Sequence, residues 1–479
     1  MQKTDTLIRN GIIITVDAER RILEDGAVAL HRGRIAAVGP TAELDEAFAP
    51  EKVIDASRMI VLPGLIDGHA HAGHGLVKSL GAGRSEVWFE ACEKIYTSGT
   101  GVDFWAAEAA LAAVERLKAG VTCGLSLFGG GPDIMRTDDP DYGRTWVGSV
   151  GEVGIRGLLA VGPGRPPFPR TYVRWQGGRA EEVAVDLETQ LATSETLIEE
   201  CHGAHDDRIR LALATPVFGR EDKGDGADAA TIRRLADRVL EIRERHDLRL
   251  TQDGHRAGTL TAARALGFLG PWAVMSHAVD LTPDDIQACL DSGAAIVHNP
   301  SAVMSIRGRC PVPELIDAGV TVMIGSDGAA PDRGYDMFRH MAQCVHYHRR
   351  HFRDATVLPP GKALEMVTID AARGLGLADE IGSLEPGKRA DVVLIDAAKP
   401  HLYPLNMPLT RVVQFANAAD VDTVIVDGKV LMRGRQVISV DEAEVLAAAE
   451  RECALMLERT GLGYLTEEPA ELWGQSRLA

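Results

Sequence analysis

Eight short apolar runs, spaced by helix-like segments, occupy the middle of the chain and leave few folds open to it. They are 59-MIVLPGLID-67, 121-VTCGLSL-127, 154-GIRGLLAV-161, 208-RIRLALA-214, 248-LRLTQD-253, 272-WAVMSH-277, 294-AAIVHN-299 and 320-VTVMIGSD-327. The runs are almost continuously apolar, the pattern of strands buried on both faces of a parallel sheet. Between them lie segments of helical period, such as 103-DFWAAEAALAAVERLKAG-120, which stops at a glycine, and 228-DAATIRRLADRVLEIRERH-246. Repeated strand–helix units of this number predict an α/β chain folded as a TIM-like (β/α)8 barrel. An open doubly wound sheet is the alternative for the same pattern.

Both ends of the chain follow a different grammar. "LIRNGIIITVD" is strand, Asn-Gly turn, strand, and "GAVALHRGRIAAVGP" repeats the theme. "GKRADVVLID" and "VDTVIVDGKVLMRGR" return to it near the C-terminus. The expected organisation is a small β-sandwich domain from residues 1–60 and 380–440, a catalytic barrel over 61–379, and a C-terminal helix and tail over 441–479. A chain of 479 residues is long enough for this division.

Composition excludes some roles. With 51 basic and 69 acidic residues the net charge is −18, a surface that repels nucleic acid and anionic lipid. The apolar run from Gly11 to Val16 is too short and too β-branched for a signal segment, and no stretch approaches the roughly 18 apolar residues of a membrane helix. Seven scattered cysteines without a CxxC pair point to a reducing cytoplasm. A small-molecule substrate is expected, with no nucleic-acid or membrane partner.

Polar residues collect where the runs end, and a barrel places its active site at the C-terminal ends of its strands. In 67-DGHAHAGH-74, His69 and His71 are two apart and share one face of an extended segment. Two imidazoles on one face suit zinc or another first-row metal. His277 and Asp327 stand at the ends of the sixth and eighth runs. The histidines of "HMAQCVHYHRRHF" (340, 346, 348 and 351) read as a solvated or interfacial helix face rather than a second metal site. "GPGRPPFPRTYVRW" (162–175) has the composition of a lid, and "GGGP" (129–132) lacks the Lys-Ser/Thr of a phosphate loop. Trp88, Phe89 and Trp105 are pocket or core aromatics.

"VLPGLIDGHAHAGH", "SHAVDLTPDD", "VHNPSAVMSIRGRCPVPELIDAGVTVMIGSDGAA" and "GSLEPGKRADVVLID" together resemble the amidohydrolase superfamily, in its chlorotriazine-hydrolase and cytosine-deaminase-like branch. The resemblance runs from about residue 7 to about residue 430. It implies a distorted (β/α)8 barrel with a split β-sandwich, and homo-oligomers are common among such proteins. It implies that His69 and His71 bind a catalytic metal, that Asp327 touches the metal and takes a proton from the attacking water, and that His277 sits beside the metal or orients the nucleophile. The fourth strand ends in Thr215 and Pro216 rather than a lysine able to bridge two ions, so one divalent metal is expected, zinc first, with iron or manganese as alternatives.

The fifth strand departs from the branch. Ring-deaminating members end it His-x-x-Glu, the His a ligand and the Glu a proton donor to a ring nitrogen. Here it reads Thr251, Gln252, Asp253, Gly254, His255, Arg256. Aligned on the strand, the ligand falls on Asp253 and the Glu on Arg256; aligned on the following glycine, they fall on Thr251 and Gly254. Asp253 is one replacement ligand; His255, two residues on, is the other, or a substrate contact. Arg307, after the seventh strand, is a candidate to hold a polar substrate group. Without the Glu, the expected reaction is hydrolysis of an amide, urea or carbamate C–N bond. Deamination or dechlorination of a purine, pterin or s-triazine is the alternative.

Overall fold

The computed structural model describes all residues except 82, 130–134, 220–227, 303, 469–471, 475 and 477–479. The eight runs form one parallel sheet: β1 Leu65–His71, β2 Val121–Leu127, β3 Arg156–Val161, β4 Ile209–Thr215, β5 Leu250–Gln252, β6 Ala273–Ser276, β7 Ala295–His298 and β8 Val322–Ile324. Each strand pairs with the next in chain order. A doubly wound sheet would reverse its order midway. This one does not, and its first and last strands meet. Asp327 N donates to His69 O at 2.9 Å. Ser326 donates from N and from Oγ to the Asp67 carboxylate, both at 2.8 Å.

Closure has a polar clamp and a steric condition. Asp67 is fully buried and pairs at 3.0 Å with Arg116 of the helix Val102–Lys118, while Arg116 also donates to Ser126 Oγ on β2. One carboxylate thus joins β1, β8 and a covering helix, all of its partners buried. Gly68 is required beside it. A Cβ there would lie 2.8 Å from Met323 and 3.0 Å from the Ile324 carbonyl, so only glycine lets β1 and β8 approach this closely.

The chain ends build one nine-stranded sheet among the described residues. Its order is Gln436–Val437, Lys429–Arg433, Val421–Val426, Val392–Asp396, Met59–Pro63, Gln2–Ile14, Ile22–His31 and Arg34–Pro40, with Phe48–Asp55 beside Gln2–Ile14. The sheet folds over on itself: Ala390 N bonds Gly33 O at 2.9 Å and Ile35 N bonds Lys388 O at 2.9 Å. Ile8, Val28, Leu30, Ile54, Val392, Leu394 and Ile425 fill the space enclosed. The two layers of a sandwich are therefore halves of a single hydrogen-bonded sheet. The first apolar run splits between the two units. Met59–Pro63 belongs to the end sheet and Leu65–His71 to the barrel, with only Gly64 between them.

Two further pieces flank the barrel mouth. The Pro-rich stretch after β3 leads into a hairpin, Arg170–Gln176 with Arg179–Val185. Fully buried Arg136 anchors it, donating to the carbonyls of Tyr96 and Val173. The helix Glu442–Thr460 packs on Val102–Lys118 and on the turn Ile95–Gly99. No helix among the described residues is long and apolar enough to cross a membrane.

Candidate metal centre at the barrel mouth

The strand ends bring five of the expected residues to one point. His69, Asp253, His277 and Asp327 each place a ligand atom within 4.8 Å of the others. His71 Nε2 lies 3.2 Å from Asp327 Oδ1 and 3.4 Å from Asp253 Oδ2. His277 Nε2 lies 2.8 Å from Asp253 Oδ1, and His69 Nε2 is 3.3 Å from the same oxygen. All five are buried. His277 and Asp327 hold left-handed backbone conformations, φ 69° and 62°, which non-glycine residues rarely adopt. Such strain persists where the surrounding structure enforces it, commonly at functional sites.

Electrostatics reinforces the grouping. Burial pushes His71 and His277 towards the neutral form, but the two carboxylates more than reverse this and hold them at about 10 and about 9. Burial raises Asp253 and Asp327; the facing imidazoles, and Arg333 beside Asp327, override it and keep both well below the usual carboxylate range. In the metal-free protein, protons on the imidazoles neutralise the carboxylates. A cation is the natural substitute: both ring nitrogens of His69 are buried without a hydrogen bond. Three imidazoles and two carboxylates suit zinc, iron or manganese. His71 is oriented for this, since its Nδ1–H faces the Gly129 carbonyl at 2.9 Å and Nε2 is left towards the centre.

Asp253 and His255 separate here. Asp253 is in the cluster. His255 is fully buried, but its Nδ1 lies 3.0 Å from Thr259 Oγ1. That hydroxyl already donates to the Arg256 carbonyl, so it accepts from His255. The imidazole therefore presents an unprotonated, unpartnered Nε2. Burial drives its pKa down to about 3, so it stays neutral. Arg256, at the position where the branch carries Glu, is exposed. Arg307 is also exposed, on the short helix Met304–Arg307, with its guanidinium 5.7 Å from the Phe89 ring. Trp105 is a core residue among Tyr96, Phe104 and Phe128, whereas Trp88 reaches His74 beside His71.

Three contributors were not anticipated. Arg333, almost fully buried, holds Asp327 Oδ2 at 3.0 Å and leaves Oδ1 facing the histidines. Asn299 Nδ2 bonds Ser276 Oγ at 2.8 Å and lies 3.4 Å from His277 Nδ1. His74 stacks on His71 with ring centroids 4.6 Å apart. Arg333 follows the GSDGAA segment by three residues and His74 closes the DGHAHAGH motif, so each had a weak signal in the sequence; Asn299 had none.

These strand-end histidines and aspartates, on a barrel closed by a two-ended sheet, are the arrangement of a metal-dependent amidohydrolase. The chain belongs to the Amidohydrolase family, whose model matches residues 60–431, and it is a metal-dependent hydrolase acting on carbon–nitrogen bonds. It is 32% identical over 466 residues to a 5-methylthioadenosine/S-adenosylhomocysteine deaminase of Desulforudis audaxviator, covering 94% of this chain and 99% of that protein. A protein of the same name from Syntrophobacter fumaroxidans is 28% identical, with 93% and 96% covered. The fold matches a zinc-bound adenosine deaminase from Xanthomonas campestris with a TM-score of 0.80 at 24% identity, covering 95% of this chain and 99% of that one. It matches the zinc complex of an atrazine chlorohydrolase from Arthrobacter aurescens with a TM-score of 0.76 at 22% identity, covering 94% and 100%.

Proposed function

We propose that the protein hydrolyses an amide, urea or carbamate C–N bond of a small molecule, using one divalent ion held by His69, His71, Asp253 and Asp327. The observation that carries this reading is the fifth strand end. Asp253 lies there within the buried His/Asp cluster, and the position three residues on is an exposed Arg256, not an acid. Activation of a ring amidine needs a proton donor at that point, whereas a carbonyl-type carbon does not.

A divalent ion, when bound, lowers the pKa of water from 15.7 to about 7 and polarises an acyl oxygen. The remaining work falls to the chain. Asp327 Oδ1 accepts the proton of the attacking water and passes it to the departing nitrogen. Arg333 keeps Oδ2 occupied, so the acid–base oxygen is always the one facing the histidines. His277 orients the water or supports the charge that develops on the acyl oxygen. The lone pair on His255 Nε2 accepts a substrate N–H, and Arg307 at the rim binds a polar substituent. The free state of all seven cysteines, six of them buried, favours a reducing cytoplasm, and we retain the expectation of a homo-oligomer.

Aminohydrolysis of an adenosine-type nucleoside is the second reading, favoured by the names of the full-length relatives. It requires a donor to the ring nitrogen, and the Thr259 hydrogen bonds favour the His255 tautomer protonated on Nδ1, not on Nε2. A product screen with zinc, iron or manganese decides. Release of an organic amine and an acid from ureas, carbamates or amides supports the first reading. Ammonia from methylthioadenosine or S-adenosylhomocysteine, with no turnover of acyclic substrates, replaces it with the second.

A further inference from the structure

We propose that His298, Cys344 and His348 form a second metal site, distinct from the catalytic cluster, for a thiolate-binding cation, zinc or cuprous copper. His298 ends β7, and its ring lies against the helix Met337–Phe352, with centroids 6.3 Å from Tyr347 and 5.3 Å from His348. Its neighbour Asn299 points the other way, to Ser276 and His277. The site therefore lies in the layer between the barrel wall and its covering helix, outside the mouth. Cys344 and His348 are four apart on that helix and so share one face. One ligand atom from each of the three residues lies within 4.8 Å of the others.

The surroundings make a ligand the natural explanation. The three residues are at most 1% exposed, next to fully buried Met341 and Val345. His298 Nε2 and both ring nitrogens of His348 are buried without a hydrogen bond. A buried polar atom left unpaired is destabilising, and apolar side chains at these places would avoid it. Burial keeps both rings neutral, His348 at about 4, so each offers a free lone pair. Two imidazoles and a thiolate are borderline-to-soft donors that favour zinc or cuprous copper over magnesium or calcium. Binding forms a sulfur–metal bond at Cys344 and releases its thiol proton to solvent. Zinc would complete its coordination with a water, since structural zinc takes four ligands. The bound ion would fix the helix to β7.

The test separates this site from the catalytic one. His69→Ala protein, purified whole, is titrated with zinc, with cobalt as a spectroscopic probe, and with cuprous ion under anaerobic reducing conditions. One equivalent should bind, cobalt giving a thiolate-to-metal charge-transfer band. Both should vanish when Cys344→Ala or His348→Leu is added. Preference for zinc or for cuprous ion identifies the cation. Cys344→Ala alone should fold by circular dichroism, keep one catalytic equivalent and lie within about twofold of parent activity, with a lower Tm. The proposal is overturned if the His69→Ala protein binds none of the three ions. It is equally overturned if binding and the cobalt band survive loss of Cys344.

Discussion

Replacing Asp253 by Asn should change the proton stoichiometry of metal binding as well as its strength. Asp253 lies 2.8 Å from His277 Nε2 and 3.4 Å from His71 Nε2. With His277 at about 9 and His71 at about 10, metal-free protein at pH 7 carries a proton on each. A cation takes the place of the proton on its ligand His71 and, seated beside Asp253, repels the one on His277; each unit above the working pH costs about 1.4 kcal/mol of apparent affinity. Wild type should therefore release close to two protons per ion at pH 7, and the logarithm of its apparent association constant should rise with pH at a slope near two. A carboxylate this close moves a partner's pKa by about 1–3 units. Asp253→Asn should bring both imidazoles towards neutrality, cut the release below that of wild type, and flatten the slope to match. Affinity itself should still fall, because an anionic ligand is lost. The assay is calorimetric titration of chelator-stripped protein in buffers of different ionisation enthalpy, at several pH values. The reasoning is refuted if wild type releases no protons at pH 7, or if the variant releases as many as wild type.

Asp327→Asn should retain the metal and lose about 10²–10⁴-fold in turnover, read as kcat with metal content measured in parallel; full turnover would remove Asp327 from the proton relay. The metal-free protein should show its own pH window. The raised values of His71 and His277 stabilise it below about pH 6.5, and this is lost as pH rises through about 9 to 10. The lowered values of Asp253 and Asp327 stabilise it above about pH 4, lost on acidification. Its Tm should therefore be highest between these limits, and a Tm that climbs steadily to pH 10 contradicts the assignment. Arg116→Met removes the counter-ion of buried Asp67, leaving it the Ser326 hydrogen bonds, and should destabilise the fold by about 3–5 kcal/mol in urea unfolding. A change under 1 kcal/mol would show that Asp67 is not the clamp of the barrel.

The eight barrel strands were legible because buried parallel strands leave continuous apolar runs. The first run concealed a boundary, because apolar residues do not reveal which sheet they join. Gly64 does: a Cβ there would strike the Thr122 side chain, so the chain passes β2 closely as it changes sheets. The choice between Asp253 and His255 could not be read from spacing, since residues two apart share a face only while a strand continues. β5 stops at Gln252, and Gly254 takes φ 95°, which breaks the alternation and turns His255 towards Thr259. The Asp67 clamp was not visible because its partner Ser326 lies 259 residues away in sequence. The helix read as a solvated histidine face is mixed. His346 and His351 are exposed, while His340 and His348 are buried with Cys344 between them. The i, i+4, i+8 spacing of 340, 344 and 348 was the available signal.

The sheet drawn from both ends also sets a timetable for synthesis. Met59–Pro63, which leads directly into the His69–His71 strand, has Val392–Asp396 as one neighbour, and that segment leaves the ribosome about 330 residues later. At roughly 5–20 residues per second the delay is on the order of half a minute. Throughout it, one edge of the N-terminal strands is uncovered. Asp253 and Asp327 also emerge long after the histidine pair, so the nascent chain can hold a catalytic ion only weakly until most of the barrel exists. With the proposed ligands, metal loading is a late event in the life of each molecule, and a stalled or truncated chain would present an open strand edge and two unsatisfied imidazoles to its surroundings.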